Sequence, residues 1–139
     1  MGKNYRKELD SLSCIYDSAM EANVDTLTNF LSKHQNSHLY GIGSGGSYSV
    51  AAAFEYLCIK AGFTAQKLTP LELGQLQYQL SASAAVLFTA GGSNNDSKNA
   101  YRYIVELEPE GVLTCCMRLN APIKKLQREN IHNYYYEYK

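Results

Sequence analysis

The sequence predicts a doubly wound α/β fold: a five-stranded parallel sheet flanked by helices and preceded by N-terminal helices. Three observations predict it. The apolar runs at 84–89 and 112–117 are continuous rather than alternating, the mark of parallel strands covered on both faces. After residue 37, strand-like and helix-like patterns alternate four times, which argues βα units rather than hairpins. Two strand-like runs empty into glycine- and serine-rich turns ahead of a helical pattern, at Gly41-Ile42-Gly43-Ser44-Gly45-Gly46-Ser47 and at Ala90-Gly91-Gly92-Ser93-Asn94-Asn95-Asp96.

Taken in order, residues 3–34 carry helical spacing. Tyr5, Leu9, Leu12, Tyr16 and Ala19 form one stripe, and Leu27, Phe30 and Leu31 a second, with Asn23 or Asp25 as the N-cap between them. This predicts either one helix broken near 21–25 or two helices. Strand one is expected at 38–42, and an alanine-rich helix at 47–61, apolar on most sides, ends at Gly62. Strand two follows at 64–68. Thr69-Pro70 ends it, and 71–80 reads as a short helix or extended loop. Strand three at 84–89 leads to a helix with the stripe Ala100, Tyr103, Ile104 and Leu107. Strand four at 112–117, a short helix at 122–128 opened by Pro122, and strand five at 131–138 complete the pattern. One domain is expected, with a helical segment at 1–37 and an α/β core of flavodoxin-like type at 38–139.

Composition narrows the partners. In 139 residues, Lys plus Arg equals Asp plus Glu, so nothing pulls the chain toward nucleic acid or an anionic membrane. No run reaches the ~18 apolar residues of a membrane span, and no signal peptide pattern opens the chain. Gly2 lacks the myristoylation context because Arg6 stands where Ser or Thr is required. A cytoplasmic protein is expected. Cys14, Cys58, Cys115 and Cys116 form no metal-binding spacing and read as reduced core residues, with the adjacent pair pointing to opposite faces of its strand.

The chemistry concentrates at the two glycine turns. A strand that empties into a helix N-terminus leaves backbone N–H groups without partners, and the helix dipole favours an anion beside them. Glycine allows close approach, while Ser44 and Ser47 add hydroxyl donors. In a doubly wound sheet both turns lie at the carboxyl edge, where ligands bind. Gly41, Gly43 and Gly46 also fit the dinucleotide fingerprint, but strand two ends Gln66-Lys67-Leu68-Thr69, without the acid that holds a ribose. Glu72 is the carboxylate placed near this edge, either as a general base with a raised pKa or as a solvated loop residue. Glu55 reads as a helix-surface or interface residue. Lys67 and Arg118 stand at or beyond strand ends, in reach of an anion or simply solvated. His34, His38 and His132 fall at the opposite edge. Tyr134, Tyr135, Tyr136 and Tyr138 crowd one strand and call for a cover, by further chain or a partner subunit.

Over roughly residues 20–135 the pattern resembles the SIS (sugar isomerase) family of phosphosugar-binding domains. Gly43-Ser44-Gly45-Gly46-Ser47 matches the family's first turn, Val50–Tyr56 its small-residue helix, and Pro70-Leu71-Glu72-Leu73 the element after strand two. Thr89-Ala90-Gly91-Gly92-Ser93-Asn94 stands where the family has a Ser-x-Ser-Gly-x-Thr turn, with Gly91 and Asn94 replacing its second Ser and its Thr. Asn120-Ala121-Pro122 resembles the loop after strand four. The resemblance implies a phosphosugar held by Gly43, Ser44, Gly45, Gly46, Ser47, Thr89, Gly91, Gly92, Ser93 and Asn94, with Glu72 the catalytic candidate. It implies no cofactor and no metal, and a homodimer or a piece of a longer chain lacking the family's final helix. Aldose–ketose isomerisation or a related phosphosugar reaction is one expectation. The alternatives are a sensor that binds a phosphorylated sugar or nucleotide without turnover, and a dinucleotide-binding domain.

Overall fold

A computed structural model describes residues 5–76, 82–118, 121–126 and 133–137. The elements run α1 (Tyr5–Asp10), α2 (Leu12–Met20), α3 (Asp25–Lys33), β1 (His38–Ile42), α4 (Gly46–Lys60), β2 (Ala65–Leu68), α5 (Pro70–Gly74), β3 (Ser83–Thr89), α6 (Asn95–Glu106), β4 (Gly111–Cys116), a 3₁₀ turn (Pro122–Leu126) and β5 (Asn133–Glu137). All strand pairings are parallel, in the order β2-β1-β3-β4-β5. The order reverses at β1, so its exit and that of β3 flank the switch point.

Side chains alternate between two cores, one on each sheet face. Tyr40, Ile42, Ala85, Leu87, Val112 and Cys116 face α5, α6 and the 3₁₀ turn. Leu39, Ala84, Val86, Leu113 and Cys115 face α3 and α4. Every residue of β4 is buried, which is why its sequence shows no alternation. Cys115 and Cys116 do point to opposite faces. Burial against apolar neighbours pushes the Cys115 thiol up to about 12. Cys58 is also buried, but Cys14 is exposed on α2, so three rather than four cysteines are core residues.

The helical segment differs from expectation. It forms three helices, and α2 buries none of its residues. Among the described side chains, only the second stripe enters the core: Phe30 is fully buried, with Leu27 and Leu31 against the same cluster. The N-cap of α3 is Val24, without a side-chain cap bond, rather than Asn23 or Asp25; Asn23 Oδ1 instead accepts from the Asp25 N–H at 2.8 Å just ahead of the helix. In α6 the buried face is Ser97, Ala100, Tyr101, Ile104 and Val105, while Tyr103 is 40% exposed. Tyr101 replaces Tyr103 in the stripe, in phase with Ser97, Ile104 and Val105, and donates to Asn133 Oδ1 on β5. Tyr103 lies over Gly74 of α5 instead.

The amino edge is tied by Ser37, whose hydroxyl donates to Glu110 Oε2 at 2.6 Å, with the buried His34 ring 3.6 Å from the same oxygen. His38 stacks on Tyr40 at 4.4 Å. Both histidines sit at the edge away from the glycine turns. His132, Asn120 and Tyr138 lie outside the described residues, as do the side chains of Tyr134, Tyr135 and Tyr136.

Gly92 has φ +60°, and a Cβ there would stand 2.7 Å from Ala121 Cβ and 3.1 Å from Ile123 Cγ2. Strained backbone and overpacking act together, so Gly92→Ala should lose about 2–4 kcal/mol of stability in urea unfolding. A loss under ~1 kcal/mol would contradict this packing.

Candidate functional site

The site is built from two turns on neighbouring strands. Gly43 leaves β1 so close beneath the start of α4 that a Cβ would stand 2.3 Å from the Ser47 carbonyl oxygen. The chain then rises through Ser44 to Gly45 at φ 57° and ψ −126°, a conformation that needs glycine. The Ser47 and Tyr48 N–H groups donate back to the carbonyls of Ser44 and Gly45 at 3.1 and 3.0 Å. The N–H groups of Gly45 and Gly46 find no acceptor among the described residues, and a Cβ on either glycine would meet nothing within 4 Å. Open space, two spare donors and the positive end of the 15-residue α4 therefore coincide.

The second turn is braced from inside. Thr89 is buried; its hydroxyl accepts from the Gly92 N–H at 3.1 Å and pairs with Ser97 Oγ at 2.9 Å. The Asn94 side chain caps α6, accepting from the Ser97 N–H at 2.7 Å. Thr89, Gly92 and Asn94 thus shape the loop, while Gly91 and Ser93 remain on its outer surface. Together with Ser44, Gly45, Gly46 and Ser47 they line the accessible part of the edge.

The two turns touch. Ser44 Oγ donates to Asp96 Oδ2 at 3.2 Å, joining the N-termini of α4 and α6. Sequence reasoning gave Asp96 no role, although an acid in the first turn of the second helix was legible as a dipole partner. Its placement against Ser44 depends on strand order, which no local pattern carries.

At the β2 side, Lys67 Nζ pairs with Glu55 Oε2 at 2.7 Å and the Lys67 N–H donates to Glu55 Oε1 at 3.1 Å. The hydrogen bond from the Lys67 side chain, then that from its backbone, holds the Glu55 carboxyl below its ordinary value. The same hydrogen bond raises the Lys67 ammonium. Lys67 is thus already compensated before any anion arrives. Glu72 closes a capping box at the start of α5, accepting from the Thr69 N–H at 2.7 Å and the Thr69 hydroxyl at 3.0 Å. The Thr69 backbone bond, ahead of the hydroxyl bond, keeps its carboxyl below the usual range, where a general base for isomerisation needs it raised. Among the described residues no group of three or more His, Cys, Asp or Glu side chains is placed to hold a metal, and no helix is long and apolar enough to cross a membrane.

No protein-family model matches the chain, and no curated protein matches it by sequence. Solved structures do. A Listeria monocytogenes protein, provisionally assigned as a sugar-phosphate isomerase, aligns with a TM-score of 0.64 at 17% identity over 89% of this chain and 71% of its own. Vibrio vulnificus NanR, complexed with ManNAc-6P, aligns at 0.62 and 16% identity over 94% of this chain. Tagatose-6-phosphate ketose/aldose isomerase from Escherichia coli aligns at 0.65 and 14% identity over 90%. The chain spans 49% of the NanR chain and 36% of the Escherichia coli isomerase chain. The protein has the fold of the SIS domains, an α/β architecture with a parallel sheet between helical layers.

The capping box fixes a pH dependence. A carboxyl lowered on folding contributes stability above its unfolded pKa of ~4.3, and that contribution is lost as pH falls through the folded value. Glu72→Gln should therefore be less stable than the parent at pH 7, with the gap narrowing below about pH 4 in thermal melts. A gap that stays constant with pH would contradict an ionised capping carboxylate.

Proposed function

We propose that the paired turns bind a phosphorylated sugar, the phosphate seated on the Gly45 and Gly46 N–H groups with Ser44 and Ser47 beside it. Gly91 and Ser93 would border the sugar, and Gly43, Thr89, Gly92 and Asn94 hold the two loops in shape. The observation that carries this reading is the contact between Ser44 and Asp96, which brings two helix N-termini to one point at the switch in strand order. The ManNAc-6P bound to NanR and the reaction named for the Escherichia coli isomerase support the same ligand class. The reading also takes the protein as a single domain acting in the cytoplasm as a homodimer.

Within this reading, binding without turnover is favoured over isomerisation. Its support is Glu72: the capping box occupies both of the carboxylate's local donors and keeps it a weak base. Isomerase activity would have Glu72 move a proton between C1 and C2 of the sugar, and Glu72→Gln would then abolish turnover while leaving binding.

Calorimetric titration with a panel of sugar phosphates, inorganic phosphate and NAD(P) tests the ligand class, and turnover assays on any binder separate sensor from enzyme. Gly46→Asp is the control: its side chain enters open space at the first turn of α4, where an acid suits the helix, yet occupies the anion's place. Sugar phosphates should bind the parent and fail to bind this variant. Binding of NAD(P) alone, or of none of the panel, would contradict the reading.

Asp96 supplies a second check, because its carboxylate stands beside the proposed phosphate. Asp96→Asn should tighten phosphate-ester binding roughly three- to tenfold at low salt, the size of one like charge screened at an exposed site. Unchanged or weaker binding would place the phosphate elsewhere.

A further inference from the structure

The donors and acceptors at the first turn are unevenly matched. The Gly45 and Gly46 N–H groups and the Ser47 hydroxyl meet no acceptor among the described residues. Ser44 is different. An ionised carboxylate only accepts, so across their 3.2 Å contact Ser44 Oγ donates its one hydrogen to Asp96 Oδ2. Toward a ligand Ser44 therefore presents lone pairs. Asp96 presents Oδ1, which receives no donor among the described residues.

A doubly charged phosphate ester has only acceptors on its terminal oxygens. Seated on the Gly45 and Gly46 N–H groups, it expels the water that hydrates Ser44 and Asp96. Acceptor then faces acceptor, and charge faces like charge. Among the described residues no side-chain cation is placed to offset this. On α4, Glu55 holds Lys67 of β2 at 2.7 Å. On α5, Glu72 is taken up by Thr69. Lys98, two residues beyond Asp96 in α6, projects from a different side of that helix. Arg118, Lys124 and Lys125 follow β4, and β3 separates β4 from β1.

We propose that the site takes up one proton with the phosphate and holds it between a phosphate oxygen and Asp96 Oδ1. That hydrogen turns two opposed acceptors into a donor and an acceptor. It also removes one negative charge, and an O–H···O⁻ bond of this kind is among the strong ones. A phosphate ester suits the role, because its second pKa of ~6 makes the proton available near neutral pH. The proton belongs to the pair rather than to either partner. This charge state rests on the phosphate seat proposed above and adds the form in which that seat takes its ligand. Asp96 then does more than weaken binding: it makes affinity depend on pH. Affinity should rise ~tenfold for each unit of pH lost between about pH 8 and about pH 6, and level off where the free ester carries the proton itself.

Isothermal titration calorimetry of the full chain with glucose 6-phosphate and with ManNAc-6P, repeated in buffers of different ionisation enthalpy, counts the protons. At about pH 7.5 close to one proton should be taken up per ester bound, and the dissociation constant should fall about tenfold by about pH 6.5. Asp96→Asn should take up almost none, while binding at about pH 7.5 more tightly than the parent, because the like charge is gone. A purely structural role for Asp96 would leave the proton count where it was. The parent's count needs no variant: binding without proton uptake would overturn the shared proton and leave the phosphate seat standing. So would an uptake retained in full by Asp96→Asn with the circular dichroism of the parent. Failure of both esters to bind anywhere between about pH 5.5 and about pH 8 would overturn the seat and the shared proton together.

Discussion

The structure turns on the passage of β1 beneath the first turn of α4. With the Ser47 carbonyl 2.3 Å from where a Cβ on Gly43 would stand, only glycine lets the strand exit so close to the helix start. That closeness aims the open end of α4 along the sheet edge, and Gly45, in a positive-φ conformation, turns the chain so that spare N–H groups face outward. The placement of β3 beside β1 then sets the second turn against the first. Without the strand order β2-β1-β3, Ser44 and Asp96 would lie on separate parts of the molecule.

The two turns have divided the work. The first leaves the Gly45 and Gly46 N–H groups without acceptors among the described residues, the donors the proposed ligand would use, while the second spends its polar side chains on itself: Thr89 on Gly92 and Ser97, Asn94 on the helix cap. The charges follow suit, since Lys67 is matched by Glu55 and Ser44 is engaged by Asp96. In the proposed function, attraction for the phosphate would rest on backbone dipoles rather than on side-chain cations, and the Asp96 carboxylate would temper it.

Much of this was legible in the sequence. Strand one matches its expected bounds, and strands three and four fall within a residue of theirs, because continuous apolar runs between glycine signals leave few alternatives. The convergence of the two glycine turns also followed from fold class. What local pattern could not give was which side chains the fold would consume. Tyr101 and Tyr103 are both aromatic residues near one stripe and a helical period fits either; the structure puts Tyr101 on the buried face with Ser97, Ile104 and Val105, where its hydroxyl meets Asn133, 32 residues on. The stripe of α2 has the same kind of periodicity as that of α3, yet α2 buries none of its residues, and periodicity alone does not say which of two stripes meets the sheet. The lowered Glu72 carboxyl needed the capping geometry, although Thr69-Pro70-Leu71-Glu72 carried the capping-box spacing.

The most direct measurement of the central claim is an amide ¹H–¹⁵N chemical-shift titration of the protein with a sugar phosphate. The account predicts the largest, saturable shifts at Gly45, Gly46 and Ser47, with smaller ones at Gly91 and Ser93 and none around Ser37 and Glu110 at the far edge. Shifts centred on the far edge or between α3 and α4, with Gly45 and Gly46 unmoved, would contradict it.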